Sequence, residues 1–154
     1  MKKYLLAPLA LLAATQVAQA DTTSRQITVT AIVPTSAFVV RDEGNWMATP
    51  QSLPSFDDGS LGSVQNRMYL KSTTGAVTAK FMSNPTITSG RTNIPLSFSI
   101  AGVDLTTTAQ EVVPQNDAAA GQSVETVLGV AAAGPYTPGN YRGIVNVVFE
   151  TPAP

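Results

Sequence analysis

The sequence predicts an all-β sandwich, and two features of its pattern indicate this fold class. First, short runs of β-forming residues are separated by turn-forming pairs such as Asp58-Gly59 and Gly134-Pro135. This spacing of short strands and turns is typical of sandwiches. Second, apolar and polar residues alternate within the runs, as in strands that cover a core with one face. The helical signal at residues 118–121 is too short to form an independent element.

Seven strands are expected after an N-terminal strand that is described below. The clearest alternation places Leu96, Phe98 and Ile100 on one face, with serines between them. The final strand repeats this pattern, and Gly143 within it indicates a bulge or a close backbone approach. Residues 45–62 contain several prolines and glycines and are interpreted as a long surface loop. The expected strands cover residues 37–41, 67–72, 76–82, 94–101, 103–112, 123–132 and 141–150.

The first twenty residues have the pattern of an export signal. A positively charged start is followed by an apolar stretch over residues 4–17 and by Ala-Gln-Ala at residues 18–20. Small residues spaced in this way are the pattern after which signal peptidases cleave. We therefore expect a signal peptide at residues 1–20 and no membrane span after its removal. Residues 21–154 suit a single domain with one modest core.

Composition excludes most enzyme chemistry. The sequence has nine basic and ten acidic residues. Removal of Lys2 and Lys3 makes the mature chain slightly acidic, so nucleic acid is a poor candidate partner. The sequence has no cysteine and no histidine, and the nucleophile–histidine arrangements and the usual zinc sites therefore cannot form. Phosphate-binding and nucleophile-elbow motifs are also absent. We expect no catalytic residue, no metal site and no cofactor.

Carboxylates are the remaining candidates for chemistry. Asp57 and Asp58 are adjacent, and two carboxylates can serve in glycoside hydrolysis or help to hold Ca²⁺. This pair and the second acidic pair, Asp42 and Glu43, each precede a glycine, and Asp-Gly is a strong turn signal. We therefore interpret Asp57 and Asp58 as part of a turn. A small periplasmic hydrolase that uses these two residues and Asp104 is kept as one alternative function.

Four aromatic residues are candidates either for stacking on a sugar or for packing within the protein. Tyr69 and Tyr141 lie on expected strands, which favours packing. Trp46 and Tyr136 lie in expected loops. These two residues are therefore kept as a candidate ligand-binding loop.

The segment at residues 25–35, RQITVTAIVPT, is expected to be a strand with one strongly apolar face. That face carries Ile27, Val29, Ala31 and Val33, and no turn signal follows that would fold the strand back as a hairpin. Full burial of the four side chains would contribute on the order of 5–8 kcal/mol. An exposed apolar strand is instead a template for another chain. We predict that the strand adds to an open groove in another subunit.

Four blocks of the mature chain carry a family resemblance. They are ITVTAIV at residues 27–33, IPLSFS at residues 94–99, TTTAQE at residues 106–111 and PGNYRGIV at residues 138–145. In these blocks the chain resembles the major pilin subunits of colonisation-factor fimbriae, which belong to the alternate, or alpha-type, chaperone–usher class. The resemblance implies an immunoglobulin-like sandwich that lacks one strand. It also fits the absence of cysteine, because members of this family lack the disulfide of many other pilins.

The resemblance implies how the missing strand is supplied. A periplasmic chaperone fills the gap first, and the N-terminal strand of the next subunit then replaces the chaperone at the outer-membrane usher. Carried over to this chain, residues 21–35 form the donor strand, and residues 36–154 form the incomplete immunoglobulin-like pilin domain. The implied donor side chains are Ile27, Val29, Ala31 and Val33, and the implied edge of the acceptor groove carries Val145, Val147 and Phe149.

The implied function is that of a structural major subunit of a surface fimbria that supports adhesion. Identical subunits would join head to tail by donor-strand exchange, a contact that does not close and therefore forms filaments. The other implied partners are the chaperone, the usher and a tip adhesin. The implied location is the cell-surface fimbria of a Gram-negative bacterium, reached through the periplasm. A minor or tip subunit that binds host glycans through the loop of Trp46 is an alternative, although the chain's length favours the shaft.

Overall fold

Two antiparallel sheets form the structure, which is a computed structural model that describes residues 37–153. The larger sheet has the order β1-β2-β8-β5-β4, with β6 paired to β5, and the smaller has the order β7-β3-β9. The strands are β1 (Phe38–Glu43), β2 (Val64–Ser72), β3 (Val77–Phe81), β4 (Thr86–Ser89), β5 (Thr92–Ile100), β6 (Val103–Asp104), β7 (Gln110–Val113), β8 (Gln122–Val130) and β9 (Val147–Glu150), and the helical elements are a 3₁₀ turn (Trp46–Ala48) and α1 (Gln115–Ala120).

The fold class predicted from the sequence is confirmed, because strands dominate residues 37–153. Within this part of the chain, neither the 3₁₀ turn nor α1 is long and apolar enough to cross a membrane. The signal peptide at residues 1–20 and the donor strand at residues 21–35, with its apolar side chains Ile27, Val29, Ala31 and Val33, lie outside the described residues. Both therefore stay predictions.

The core lies between the two sheets and follows the alternation of the strands. In β3, Val77, Ala79 and Phe81 are buried while the residues between them are partly exposed. β2 and β5 show the same period of two in the larger sheet. Alternate side chains of a strand point to opposite faces, so each sheet turns one apolar face inward. The buried cluster contains Met68, Leu70, Val77, Ala79, Phe81, Phe98, Ile100, Leu105, Val112, Val113, Ala118 and Val124.

Two expected strands are shorter than predicted because the chain changes sheets within each pattern. The strand expected at residues 103–112 is divided into β6 in the larger sheet and β7 in the smaller sheet. Between them, the Thr106 hydroxyl accepts a hydrogen bond from the Thr108 N–H at 3.1 Å. The strand expected at residues 141–150 forms a ladder only over β9, and Arg142 instead makes an isolated bridge to Thr88 of β4. Leu105 is buried in the first crossing and Val145 is half-buried in the second, so the apolar pattern of the sequence extends beyond each strand.

Glycine and a left-handed alanine form the hairpin between β5 and β6. Ile100 pairs with Val103 across a two-residue loop. Both loop residues have positive φ, 52° at Ala101 and 79° at Gly102. This combination matches a type I′ turn, whose twist agrees with that of the flanking strands. Gly143 makes the close backbone approach expected of it, because a Cβ there would collide with the Thr86 carbonyl oxygen.

Three hydroxyl groups link the two sheets near the end of the chain. Ser72, at the end of β2, is fully buried. Its hydroxyl lies 2.5 Å from the hydroxyl of Thr151, which follows β9, and the Thr74 hydroxyl lies 3.0 Å from that of Thr151. The Ser72 oxygen also accepts the Gly75 N–H at 3.3 Å. This network fixes the end of β9 against the larger sheet.

Thr126 of β8 provides a test of core packing. Its side chain is 1% exposed, and its hydroxyl has no hydrogen-bond partner among the described residues. Burial of an unpaired hydroxyl costs about 1–3 kcal/mol, and valine has nearly the same shape. We therefore expect Thr126→Val to raise the free energy of unfolding of the mature protein by about 1–2 kcal/mol in urea titrations. The control Thr86→Val changes an exposed strand threonine. Equal effects of the two substitutions would contradict the expectation.

Candidate functional site

Strand β9 lies at one edge of the smaller sheet. Within residues 37–153 its ladder partner is β3, with Val147 opposite Phe81 and Phe149 opposite Ala79. Because Phe81 and Ala79 are buried core residues, Val147 and Phe149 also point toward the core side. An edge strand presents unpaired N–H and C=O groups along its open side. β9 is therefore able to accept a further strand.

An apolar groove of about 1370 Å³ lies beside β9. Val147 and Phe149 line it from the smaller sheet, and Leu96, Phe98 and Leu128 line it from the larger sheet. Leu96 and Phe98 belong to β5, and Leu128 lies opposite Phe98 on β8. Side chains from both sheets therefore converge on one cavity.

The rim of the groove carries exposed apolar side chains. Met47 is 48% exposed, Met82 is 70% exposed and Ile144 is 78% exposed, and all three line the groove. Single exposed hydrophobic residues are common, but a contiguous set around a groove marks an interaction site. The arrangement is suited to binding an extended apolar segment.

The segment that leads into β9 is fixed on both sides. Arg142 and Thr88 exchange backbone hydrogen bonds of 2.8 and 3.0 Å, and the Asn146 carbonyl accepts the Met82 N–H at 3.0 Å. On the outer face of the smaller sheet, the Lys80 ammonium group donates to the Glu150 carboxylate at 2.7 Å. These contacts hold β9 against β3, and no strand of residues 37–153 pairs with the groove side of β9.

Among the described residues, four of the five candidates for the groove edge and the ligand loop lie together. Val145, Val147 and Phe149, expected at the edge of an acceptor groove, all line the groove, and so does Trp46. Tyr136 does not line it. Its N–H instead donates to the Gly59 carbonyl at 2.9 Å. Trp46 and Tyr136 therefore do not form a shared ligand loop in this groove, and the acceptor role of the β9 residues stays a prediction.

The other two aromatic candidates each contact a neighbouring group of the protein. The Arg41 guanidinium lies 5.2 Å from the centre of the Tyr69 ring, across the β1–β2 pair. The Tyr141 hydroxyl donates to the Thr137 carbonyl at 2.8 Å. Tyr141 also forms part of the groove lining.

The carboxylates do not form a catalytic pair. Asp57, Asp58 and Asp104 are exposed, and none of them lines the groove. Asp58 accepts hydrogen bonds from the Ser60 hydroxyl at 2.6 Å and from the Ser60 N–H at 2.9 Å, which is the turn predicted from the sequence. Over residues 37–153 no group of three or more acidic side chains is arranged to hold a metal ion. No geometry in this region supports a carboxylate hydrolase.

Sequence reasoning did not assign the opposite wall of the groove. Leu96 and Phe98 were recognised as inward-facing by their alternation, and Leu128 lies within an expected strand. Their presence beside β9 depends on the stacking of two sheets, which strand alternation does not specify. The conspicuous signal in the sequence was the apolar face of the strand expected at residues 141–150.

A family model and a solved structure both indicate that this chain is similar to fimbrial subunits. A family model described as CS1 type fimbrial major subunit matches residues 23–150. Among solved structures, the CooA pilin subunit from enterotoxigenic Escherichia coli is similar, with a TM-score of 0.55 and 19% sequence identity over 72% of this chain and 86% of that chain. Among curated protein sequences, none matches this chain. The structural likeness shows an immunoglobulin-like pilin fold.

The turn at Asp58 should contribute to the pH dependence of the stability of the folded protein. Hydrogen bonds from Ser60, chiefly from its hydroxyl, hold the pKa of Asp58 below its ordinary value of 3.8. A carboxylate whose pKa is lowered by folding stabilises the folded state above pH 3.8, and this stabilisation is lost as the pH falls through the lowered pKa. We expect Ser60→Ala to move the pKa of Asp58 up toward 3.8, as measured by NMR titration. An unchanged pKa would show that the hydroxyl is not the cause.

Proposed function

Because the chain belongs to the family of CS1-type fimbrial major subunits, we propose that it builds the shaft of a surface fimbria by donor-strand exchange. The family consists of structural subunits and is not an enzyme family. In this proposal, residues 21–35 of one copy enter the groove beside β9 of another copy. The single observation that carries the proposal is the apolar groove along the open side of β9.

The groove and the N-terminal segment match in chemistry. The strands of both sheets line the groove with aliphatic and aromatic side chains, and loop residues such as Gln51 and Asn140 add polar groups to its lining. The segment offers Ile27, Val29, Ala31 and Val33 on one face. Strands rise about 3.3 Å per residue, so eight residues span about 26 Å, the length of a small sandwich. The match supports insertion of the segment as a strand.

Two kinds of interaction would hold the inserted strand. Backbone hydrogen bonds to the open edge of β9 supply affinity, and alternate side chains in the groove supply specificity. A slip of one residue would turn Thr28 and Thr30 inward and Val29 outward, so the correct face is strongly preferred. Burial of the four apolar side chains adds on the order of 5–8 kcal/mol.

The proposed contact generates a filament. Each subunit gives its strand to one neighbour and receives a strand from another, so the contact is head to tail and open-ended. Before assembly, the same groove would be filled by a periplasmic chaperone, and exchange would take place at the outer-membrane usher. A tip adhesin would end the filament, which supports adhesion at the surface of a Gram-negative cell.

The donor side is tested by Val29→Asp. A carboxylate in the apolar groove carries a large desolvation cost, so we expect loss of SDS-resistant multimers on gels and loss of fibres in electron micrographs. Deletion of residues 21–34 should have the same result. The matched control Thr30→Asp places the charge on the opposite face and should retain multimers. Normal fibres from Val29→Asp or from the deletion would refute donor-strand exchange.

The acceptor side is tested by two valines of the same strand. Val147 lines the groove, whereas Val148 faces outward opposite Lys80. Val147→Ala removes two methyl groups, each worth about 0.8 kcal/mol when buried. We expect it to lower the temperature at which multimers dissociate in SDS, while Val148→Ala, equally half-buried in the subunit, has a smaller effect. Equal shifts would show that the groove face of β9 has no special part in assembly.

A further inference from the structure

The indole ring of Trp46 is held in one orientation within the groove. Its Nε1–H donates to the Arg67 carbonyl of β2 at 2.9 Å. The ring packs against Phe98, with centroids 6.4 Å apart and planes inclined at 58°. The side chain is therefore positioned before any strand arrives, as a specificity-determining contact requires.

The loop around Trp46 is also anchored. The Met47 N–H donates to the Asp42 carboxylate at 2.9 Å. The Gln51 amide donates to the Trp46 carbonyl at 2.8 Å and accepts from the Asn66 amide at 3.2 Å. These bonds connect the loop to β1 on one side and to β2 on the other. The wall that carries the indole ring therefore resists displacement by an incoming side chain.

The proposed strand exchange does not by itself specify which donor residue lies at which position along the groove. Alternation excludes a slip of one residue, because it would turn threonines inward. A slip of two residues preserves the apolar face, since Ile27, Val29 and Val33 are all branched aliphatic residues. Main-chain hydrogen bonds are also the same after a slip of two. A groove residue that distinguishes the donor side chains by size would therefore set the register.

The donor face contains one small side chain, Ala31. Resting on the proposed strand exchange, we propose that Trp46 sets the register by accepting Ala31 opposite its indole ring. A fixed indole ring takes up space that a methyl group leaves free, whereas a branched side chain at that position overpacks the site. Slips of two residues would bring Val29 or Val33 against the ring and are thereby penalised. The occupant is the N-terminal strand of a second copy of this chain.

A size exchange between the two positions tests the proposal. Ala31→Leu in the full chain should lower the temperature at which SDS-resistant multimers dissociate, whereas Thr30→Leu, on the opposite donor face, should not. Combining Ala31→Leu with Trp46→Leu should raise that temperature above the value for Ala31→Leu alone. Tyr136→Leu replaces an aromatic outside the groove and should give no such rescue. An Ala31→Leu polymer as stable as the parent, or a double variant no better than Ala31→Leu, would overturn the pairing.

Tryptophan fluorescence gives a second, independent measurement. Trp46 is the single tryptophan of the chain, and it is half-buried in the described subunit. Covering the ring with a donor strand should shift its emission to shorter wavelengths in the polymer relative to the Val29→Asp subunit. Identical spectra would overturn the contact with Trp46. Loss of multimers in Val29→Asp would still support strand exchange, so the two proposals fail separately.

Discussion

Among the described strands, β9 pairs on one side only, and the groove and its proposed use depend on this one-sided pairing. This four-residue strand closes the smaller sheet by its ladder to β3, and its other side faces the groove. The apolar side chains of β5 and β8 that line the groove would likewise be stabilised if another segment buried them. A single added strand would satisfy the backbone groups of β9 and bury the side chains at once. In the proposed assembly, the same added strand would therefore serve both the stability of the subunit and its polymerisation.

The subunit reaches this arrangement without a disulfide, since the sequence contains no cysteine. The two sheets are joined by side-chain packing and by the hydroxyl network of Ser72, Thr74 and Thr151. Small domains with a limited core usually need an additional stabilising element, such as a disulfide or an oligomeric partner. Here the hydroxyl network secures the end of β9 next to the larger sheet. The strand that is proposed to come from a neighbouring subunit would provide the additional stabilisation.

The sequence predicted the fold class and most strands because alternation directly reflects burial on one face. It did not predict where the chain changes sheets, since Leu105 is buried within the crossing between β6 and β7 and continues the pattern. β4 was missed because its residues are at most half-buried. The family resemblance implied that the last strand edges a groove, and the alternation of that strand indicated which of its residues would face it. The position of Trp46 against Phe98 required the folded structure, because its indole ring crosses to a strand distant in sequence.

In a filament built by the proposed strand exchange, the first strand of the domain, β1, would bear mechanical load. β1 is an edge strand whose six residues pair with β2, and Ala37, just before it, accepts the Thr73 N–H at 2.8 Å. Tension on the N-terminal side of the domain would enter at Phe38, the first residue of β1, and a pull along the strand would load its ladder with β2 in shear. A ladder loaded in this direction must break its hydrogen bonds together. The rate at which a stretched filament yields would then be governed by shear of the β1–β2 pair as well as by release of the donor strand.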